Sequence, residues 1–96
     1  MPQVYKTDLA GETAQLFIQF VMMQHQQALF ALGRHPNPPP QAPQANPQLA
    51  RIFIDQLGMI RTKTLGNLSA EETQVLDSAL AELQLKYVEV TGGEAQ

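Results

Sequence analysis

Residues 64–72 of the chain read Thr64-Leu65-Gly66-Asn67-Leu68-Ser69-Ala70-Glu71-Glu72. Ser69 and Glu72 have the spacing of a capping box, in which each side chain accepts a hydrogen bond from the other residue's backbone N–H. A helix is therefore predicted to begin at about residue 70. Gly66 is expected to take the left-handed conformation past the end of the preceding helix, and Asn67 to cap the turn by its side chain. Because the turn is short, the two flanking helices are predicted to form an antiparallel hairpin.

The helices on either side of this turn are predicted to span about residues 47–64 and 70–90. Asn46 is a good N-cap, and Pro47 suits the first helical position, where its missing N–H costs nothing. Each segment repeats apolar residues with helical spacing, which predicts one core-facing side. In the earlier helix that side is Leu49, Ala50, Phe53, Ile54, Leu57 and Ile60, and in the later one it is Val75, Leu76, Ala79, Leu80, Leu83, Tyr87 and Val90.

A proline-rich segment, residues 35–47, precedes this hairpin and contains six of the seven prolines. Such a composition favours an extended, polyproline-like connector over a helix or a strand. Upstream of it, residues 13–32 have a helical pattern, and Gly33 suits the position just past a helix end. The sequence thus predicts an all-α protein with three amphipathic helices, at about 13–32, 47–64 and 70–90. Residues 12–90 are expected to form one domain between a flexible arm, 1–11, and a flexible tail, 91–96.

The first helix has more apolar surface than two partner helices cover easily. Its apolar residues spread over about two thirds of the circumference, and a helix of this kind is normally buried on more than one side. Ile52 and Met59 add a small patch on the flank of the second helix. We therefore expect an interface formed by Phe17, Phe20, Val21, Met22, Met23, His25, Ile52 and Met59.

The commonest partner for such a surface is a second copy related by a two-fold axis, so a homo-oligomer, a dimer or higher, is expected. Another protein is a further possible partner. The alternative is a monomer in which the proline-rich segment and the N-terminal arm cover the surplus face.

No residue pattern in the chain is typical of a catalytic, cofactor or metal site. His25 has no His or carboxylate three or four residues further along, so we interpret it as a core or interface histidine that holds one hydrogen bond. Asp55 and Arg61 are interpreted as partners in surface ion pairs. No cofactor and no enzymatic activity are therefore expected. The competing hypothesis is a ligand-binding protein or enzyme with a pocket at a subunit interface, formed by His25, Asp55 or Arg61.

Composition argues against several classes of partner. Nine acidic and six basic residues give a net charge of -3, and no basic run could neutralise a row of phosphates, so nucleic acid binding is not expected. No apolar run approaches the length of a membrane span, and the N-terminus does not resemble a signal peptide. Without cysteine, neither disulfides nor thiolate metal sites are possible. A cytoplasmic protein without stable membrane insertion is expected.

Three segments of the chain together resemble a known family. They are Leu16-Phe17-Ile18-Gln19-Phe20-Val21-Met22-Met23, Ile54-Asp55-Gln56-Leu57 and Lys63-Thr64-Leu65-Gly66-Asn67-Leu68. The sequence is similar, over about residues 14–90, to a family of short bacterial proteins catalogued only as a domain of unknown function. The resemblance implies a bacterial, cytoplasmic, helical protein and carries no activity or catalytic residue. The sequence as a whole predicts a self-associating protein-protein interaction module or a small subunit of a larger assembly.

Overall fold

The computed structural model describes residues 11–36 and 44–92 in full, and the backbone of residues 2–10. It contains three α-helices, α1 (Pro2–Leu32), α2 (Pro47–Lys63) and α3 (Ala70–Thr91). Each helix packs against the other two. The predicted all-α fold with three helices is confirmed. The bounds of α2 and α3 agree with the predicted ones to within one residue, whereas the antiparallel arrangement of these two helices stays a prediction.

Helix α1 begins at Pro2, far upstream of the predicted start at residue 13. The predicted start of this helix is therefore wrong, whereas the flexibility of the arm, residues 1–11, stays a prediction. The late start was predicted from the early Pro and Gly, but Pro2 occupies the first position of the helix, where proline is tolerated. Gly11 in a helix interior costs only about 1 kcal/mol relative to alanine, which neighbouring residues can offset. Residues 37–43 of the predicted linker and 93–96 of the predicted tail lie outside the described residues.

The ends of the helices follow the local signals in the sequence. The Asn46 side chain accepts a hydrogen bond from the Leu49 N–H at 3.2 Å and so caps α2. At the end of α1, Gly33 has φ +71°, and the Arg34 N–H donates to the Leu29 carbonyl at 2.9 Å. This six-residue closure is a Schellman motif, whose left-handed residue is usually glycine.

Helices α1 and α2 run in opposite directions. The Asn46 N–H, just before α2, donates to the Ala31 carbonyl near the end of α1 at 2.5 Å. Further along α2, the Gln56 side chain accepts a hydrogen bond from Gln24, which lies earlier in α1. The two contacts therefore fix the relative direction of α1 and α2.

One apolar core joins all three helices. The side chains without exposed surface include Val21 of α1, Leu57 of α2, and Leu76 and Leu83 of α3. Ala28, Leu29, Ile54, Ala79 and Leu80 complete this cluster. A second cluster of Ala31, Leu32 and Ala50 lies against Tyr87 and Val90. These residues are mostly the core-facing ones that the helical periodicity predicts.

Candidate functional site

Helix α1 carries an exposed apolar stripe on the side opposite its core residues. Leu16, Phe20 and Met23 are spaced by four and three residues, which places them on one face of the helix. Their side chains are 63%, 42% and 64% exposed. Val21, which points into the core, follows Phe20 directly, so the stripe and the core occupy different sides of the same helix.

Helix α2 carries a matching stripe of Leu49, Ile52 and Met59, all exposed. A hydrogen bond connects the two helices between these stripes, from Gln24 Nε2 to Gln56 Oε1 at 2.8 Å. Gln24 follows Phe20 by four residues, and Gln56 lies four residues after Ile52 and three before Met59. Since residues at these spacings share a helix face, the two stripes flank the same hydrogen bond.

We call the surface formed by these six residues the apolar face. It consists of Leu16, Phe20 and Met23 of α1 and Leu49, Ile52 and Met59 of α2. Two adjacent helices contribute to it, and one glutamine pair lies at its centre.

The structure divides the predicted interface residues into two groups. Phe20, Met23, Ile52 and Met59 belong to the apolar face. The other predicted residues lie elsewhere: Val21 is completely buried in the core, Phe17 packs against the core, and Met22 and His25 lie beside α3.

Leu16 and Leu49 belong to the apolar face but were not among the predicted interface residues. Leu49 was expected on the core side of α2, and this expectation is wrong because the side chain is 42% exposed. Leu49 lies at the margin of the core-facing arc that helical periodicity predicts, and the neighbouring helices do not fully cover that margin. The signal that could have identified it is its spacing of three residues from Ile52.

A groove of about 320 Å³ lies between α1 and α3, on a different side of α1 from the apolar face. His25 Nε2–H donates a hydrogen bond to Glu82 Oε1 at 2.8 Å across it, and the His25 side chain is only 14% exposed. The remaining lining residues are Met22, Gln74, Val75, Ser78 and Ala79. His25 thus holds a hydrogen bond, as predicted. Its partner, Glu82 of α3, lies 57 residues later in the sequence.

The other polar candidates lie in separate ion pairs. Arg61 donates to both carboxylate oxygens of Asp77 on α3, through Nε and Nη2, and the second distance is 3.3 Å. Hydrogen bonding from Arg61 lowers the pKa of the Asp77 carboxyl, although partial desolvation opposes this effect. Asp55 lies 3.8 Å from Arg51 one turn earlier in α2. His25, Asp55 and Arg61 therefore have different partners and do not form one site.

The turn between α2 and α3 has the predicted left-handed glycine and capping box, whereas Asn67 contributes through its backbone N–H and not through the predicted side-chain cap. Gly66 has φ +77°, a conformation that disfavours any side chain. The Ser69 N–H donates to Glu72 Oε1 at 2.7 Å, and the Glu72 N–H donates to Ser69 Oγ at 3.1 Å, so the capping box is present. The Asn67 N–H donates to the Thr64 carbonyl at 2.9 Å. These contacts give the residues a structural role in the turn.

Two features are missing from the described part of the chain, residues 2–36 and 44–92. No group of three or more His, Cys, Asp or Glu among its described side chains, those of residues 11–36 and 44–92, is placed to hold a metal ion. Nor does any helix there combine the length and the apolar character needed to cross a membrane.

The chain matches a known protein family. Residues 14–89 match the model of a family described as Domain of unknown function (DUF1844). No curated protein and no solved structure matches the chain. The matched range includes all of α2, all but the last two residues of α3 and residues 14–32 of α1. The chain therefore belongs to the DUF1844 family.

Proposed function

We propose that this protein is a self-associating interaction module, and that its apolar face is the surface through which copies associate. The observation that carries the proposal is the exposure of six large apolar side chains on one side of the α1–α2 pair. Contiguous exposed apolar patches on proteins that are not in membranes usually mark interaction surfaces. A partner that covers the apolar face removes apolar area from water. This burial stabilises the complex by roughly 25 cal/mol per Å², from which the costs of association are subtracted.

The composition of α1 favours a second copy over a charged partner. Residues 13–33 contain no Asp, Glu, Lys or Arg. The α1 half of the apolar face therefore meets its own copy without like-charge repulsion, and it offers no charge to nucleic acid or to an acidic or basic protein. An amphipathic helix that binds membranes would present Lys or Arg beside its apolar side, and this stretch has neither.

We place the module in the bacterial cytoplasm, where it would act as a homo-oligomeric adaptor or as a small subunit of a larger assembly. This role needs no catalytic group and no cofactor. The family resemblance supports the setting, and the exposed apolar face supports the association.

The decisive experiment is the solution mass by sedimentation equilibrium over a wide range of protein concentration. We expect a dimer or a larger species that dissociates on dilution. In Leu16→Asp, a carboxylate must be buried at the interface, so this variant should be monomeric at concentrations at which the wild type associates. A wild-type monomer at every concentration would contradict the proposal.

Leu85→Asp is the matched control. Leu85 lies in α3 and is 59% exposed, against 63% for Leu16, but it is not part of the apolar face. Both substitutions place the same charge on the surface of a helix interior and have a similar cost in helix propensity. Leu85→Asp should therefore associate like the wild type. If both variants dissociate equally, the surface of association is not the apolar face.

A second hypothesis is a ligand-binding protein or enzyme, and the groove beside His25 favours it over other locations. A volume of about 320 Å³ is at the lower end of ordinary ligand sites, and apolar residues with a few polar groups line it. Asp55 and Arg61, however, belong to other ion pairs. This hypothesis would gain support if small molecules raised the melting temperature of the wild type but not of His25→Ala.

A further inference from the structure

The centre of the apolar face contains a polar element that an interface has to accommodate. Gln24 and Gln56 are bonded to each other, and Phe20, Ile52 and Met59 lie one helical turn from one or the other. A surface that associates by apolar burial alone would have apolar residues at these two positions. Burying two amides without partners for their remaining groups weakens association, because each unpaired group loses its hydrogen bond to water.

The hydrogen bond between the two amides leaves specific groups unused. Each glutamine side chain has two N–H donors and one carbonyl oxygen. Gln24 uses one N–H and Gln56 uses its oxygen, so the Gln24 oxygen and the Gln56 amide group retain an acceptor and donors. Gln56 is exposed and Gln24 is half-buried, so these groups lie at the surface. The unused acceptor of one copy is complementary to the unused donors of another.

Resting on the proposed self-association, we propose that two copies pack through the apolar face across a two-fold axis that passes beside the Gln24–Gln56 pair. Gln56 of each copy then donates to Gln24 of the other, and the four amides form one cluster. A two-fold interface pairs a surface with itself, which requires a self-complementary polar centre. Amides meet this requirement, whereas a carboxylate or an ammonium group would face its own charge.

The glutamine cluster is thereby a specificity element that fixes the register of the dimer. Apolar side chains alone tolerate several alignments of two helices. A central polar pair is satisfied in only one alignment, as in coiled coils in which a single buried polar residue sets the register.

Charge substitutions at Gln24 test this arrangement. In Gln24→Glu, two carboxylates enter the cluster of the dimer, and in Gln24→Lys two ammonium groups do. Like charges repel across an interface, so each variant alone should dimerise at least about 100-fold more weakly than the wild type. An equimolar mixture has one charge of each sign in the cluster. It should therefore form the mixed dimer, detectable by native mass spectrometry.

Gln84→Glu and Gln84→Lys provide the control, because Gln84 is an exposed glutamine of α3 outside the apolar face. Each should dimerise alone as well as the wild type does, and a mixture should give statistical exchange. Recovery of the mixed Gln24 dimer also shows that both variant chains fold.

The outcomes separate this inference from the proposed function. If the wild type associates and the Gln24 variants associate equally well, the glutamine cluster is wrong and self-association stands. If both Gln24 variants are monomeric and the mixture stays monomeric, the two Gln24 residues do not meet across the axis, and the inference also fails. A monomeric wild type overturns both proposals.

Discussion

Val21 and Phe20 are adjacent in the chain and have opposite environments. Val21 has no exposed surface, while Phe20 is 42% exposed on the apolar face. Both were expected at an interface because the first helix is apolar around most of its circumference. The structure separates them by their direction from the helix axis, which allows the two roles to be tested with neighbouring substitutions.

Val21→Ala should lower the free energy of unfolding of the dilute protein by about 2 kcal/mol, since it removes two buried methyl groups and leaves a cavity. Phe20→Ala should cost less than half as much under the same conditions, but it should weaken association. Urea denaturation at low concentration measures the first effect and sedimentation the second. Equal losses of stability in the two variants would place Phe20 in the core.

The Arg61–Asp77 ion pair makes the stability depend on acid pH. Arg61 lowers the pKa of Asp77 in the folded chain below the ordinary value of 3.8. A lowered carboxyl pKa gives a contribution to stability that is complete above the unfolded pKa and is lost as the pH falls through the folded one. Both side chains are nearly half exposed, so solvent screening keeps the effect small.

Asp77→Asn should therefore be less stable than the wild type at neutral pH, and the difference should shrink as the pH falls below about 4. Urea denaturation at a series of pH values measures this change. Arg61→Gln is the control, because it should remove the same pH-dependent contribution to the free energy of unfolding. Adding Asp77→Asn to Arg61→Gln should then cause no further pH-dependent loss. A difference that does not change with pH would argue against the ion pair.

At the scale of elements, the sequence patterns that correctly predicted the helix ends are local ones. The caps at Asn46 and Ser69 and the left-handed Gly33 and Gly66 each depend on residues within about five positions, so the sequence alone could predict them. The hydrogen bond from His25 to Glu82 depends on the packing of α1 against α3, which no local pattern encodes.

The exposure of Leu49 was missed for a related reason. Periodicity defines an apolar arc on a helix, but the neighbouring helices decide which part of that arc is covered. The start of α1 was missed because Gly11 was interpreted as a helix breaker, although one glycine has too small a cost to end a helix.

Gly11→Ala tests the length of α1. Gly11 lies inside the helix, and an added Cβ would meet nothing within 4 Å. Alanine should therefore favour the helix by about 1 kcal/mol and raise the helical signal in circular dichroism. Gly58→Ala in α2 is the positive control, because Gly58 also lies in a helix with open space at its Cβ. If Gly58→Ala raises the stability and the helical signal but Gly11→Ala raises neither, the region around Gly11 is not helical in solution.

At the scale of the whole molecule, size limits what one copy can do alone. A chain of 96 residues buries only about 60–65% of the surface that its unfolded form exposes, so its stability as a monomer is small. Association through the apolar face would add burial that a single core of three helices does not provide.

The melting temperature of the wild type should therefore rise with protein concentration, by several degrees between low and high micromolar protein, because dimerisation stabilises the folded state by mass action. The melting temperature of Leu16→Asp should not change with concentration. Differential scanning calorimetry measures both. A wild-type melting temperature that is the same at all concentrations would contradict association in the folded state.

The absence of charge from residues 13–33 has a consequence for the speed of encounter. Charged surfaces steer partners together and lose this advantage in salt, whereas the uncharged α1 halves of two apolar faces add no such steering, and encounters without steering occur at about 10⁵–10⁶ M⁻¹s⁻¹. The rate at which copies of this protein find each other should therefore be ordinary and nearly independent of ionic strength. Differences in affinity among variants that add no charge would then arise from how long a pair survives and not from how often pairs form.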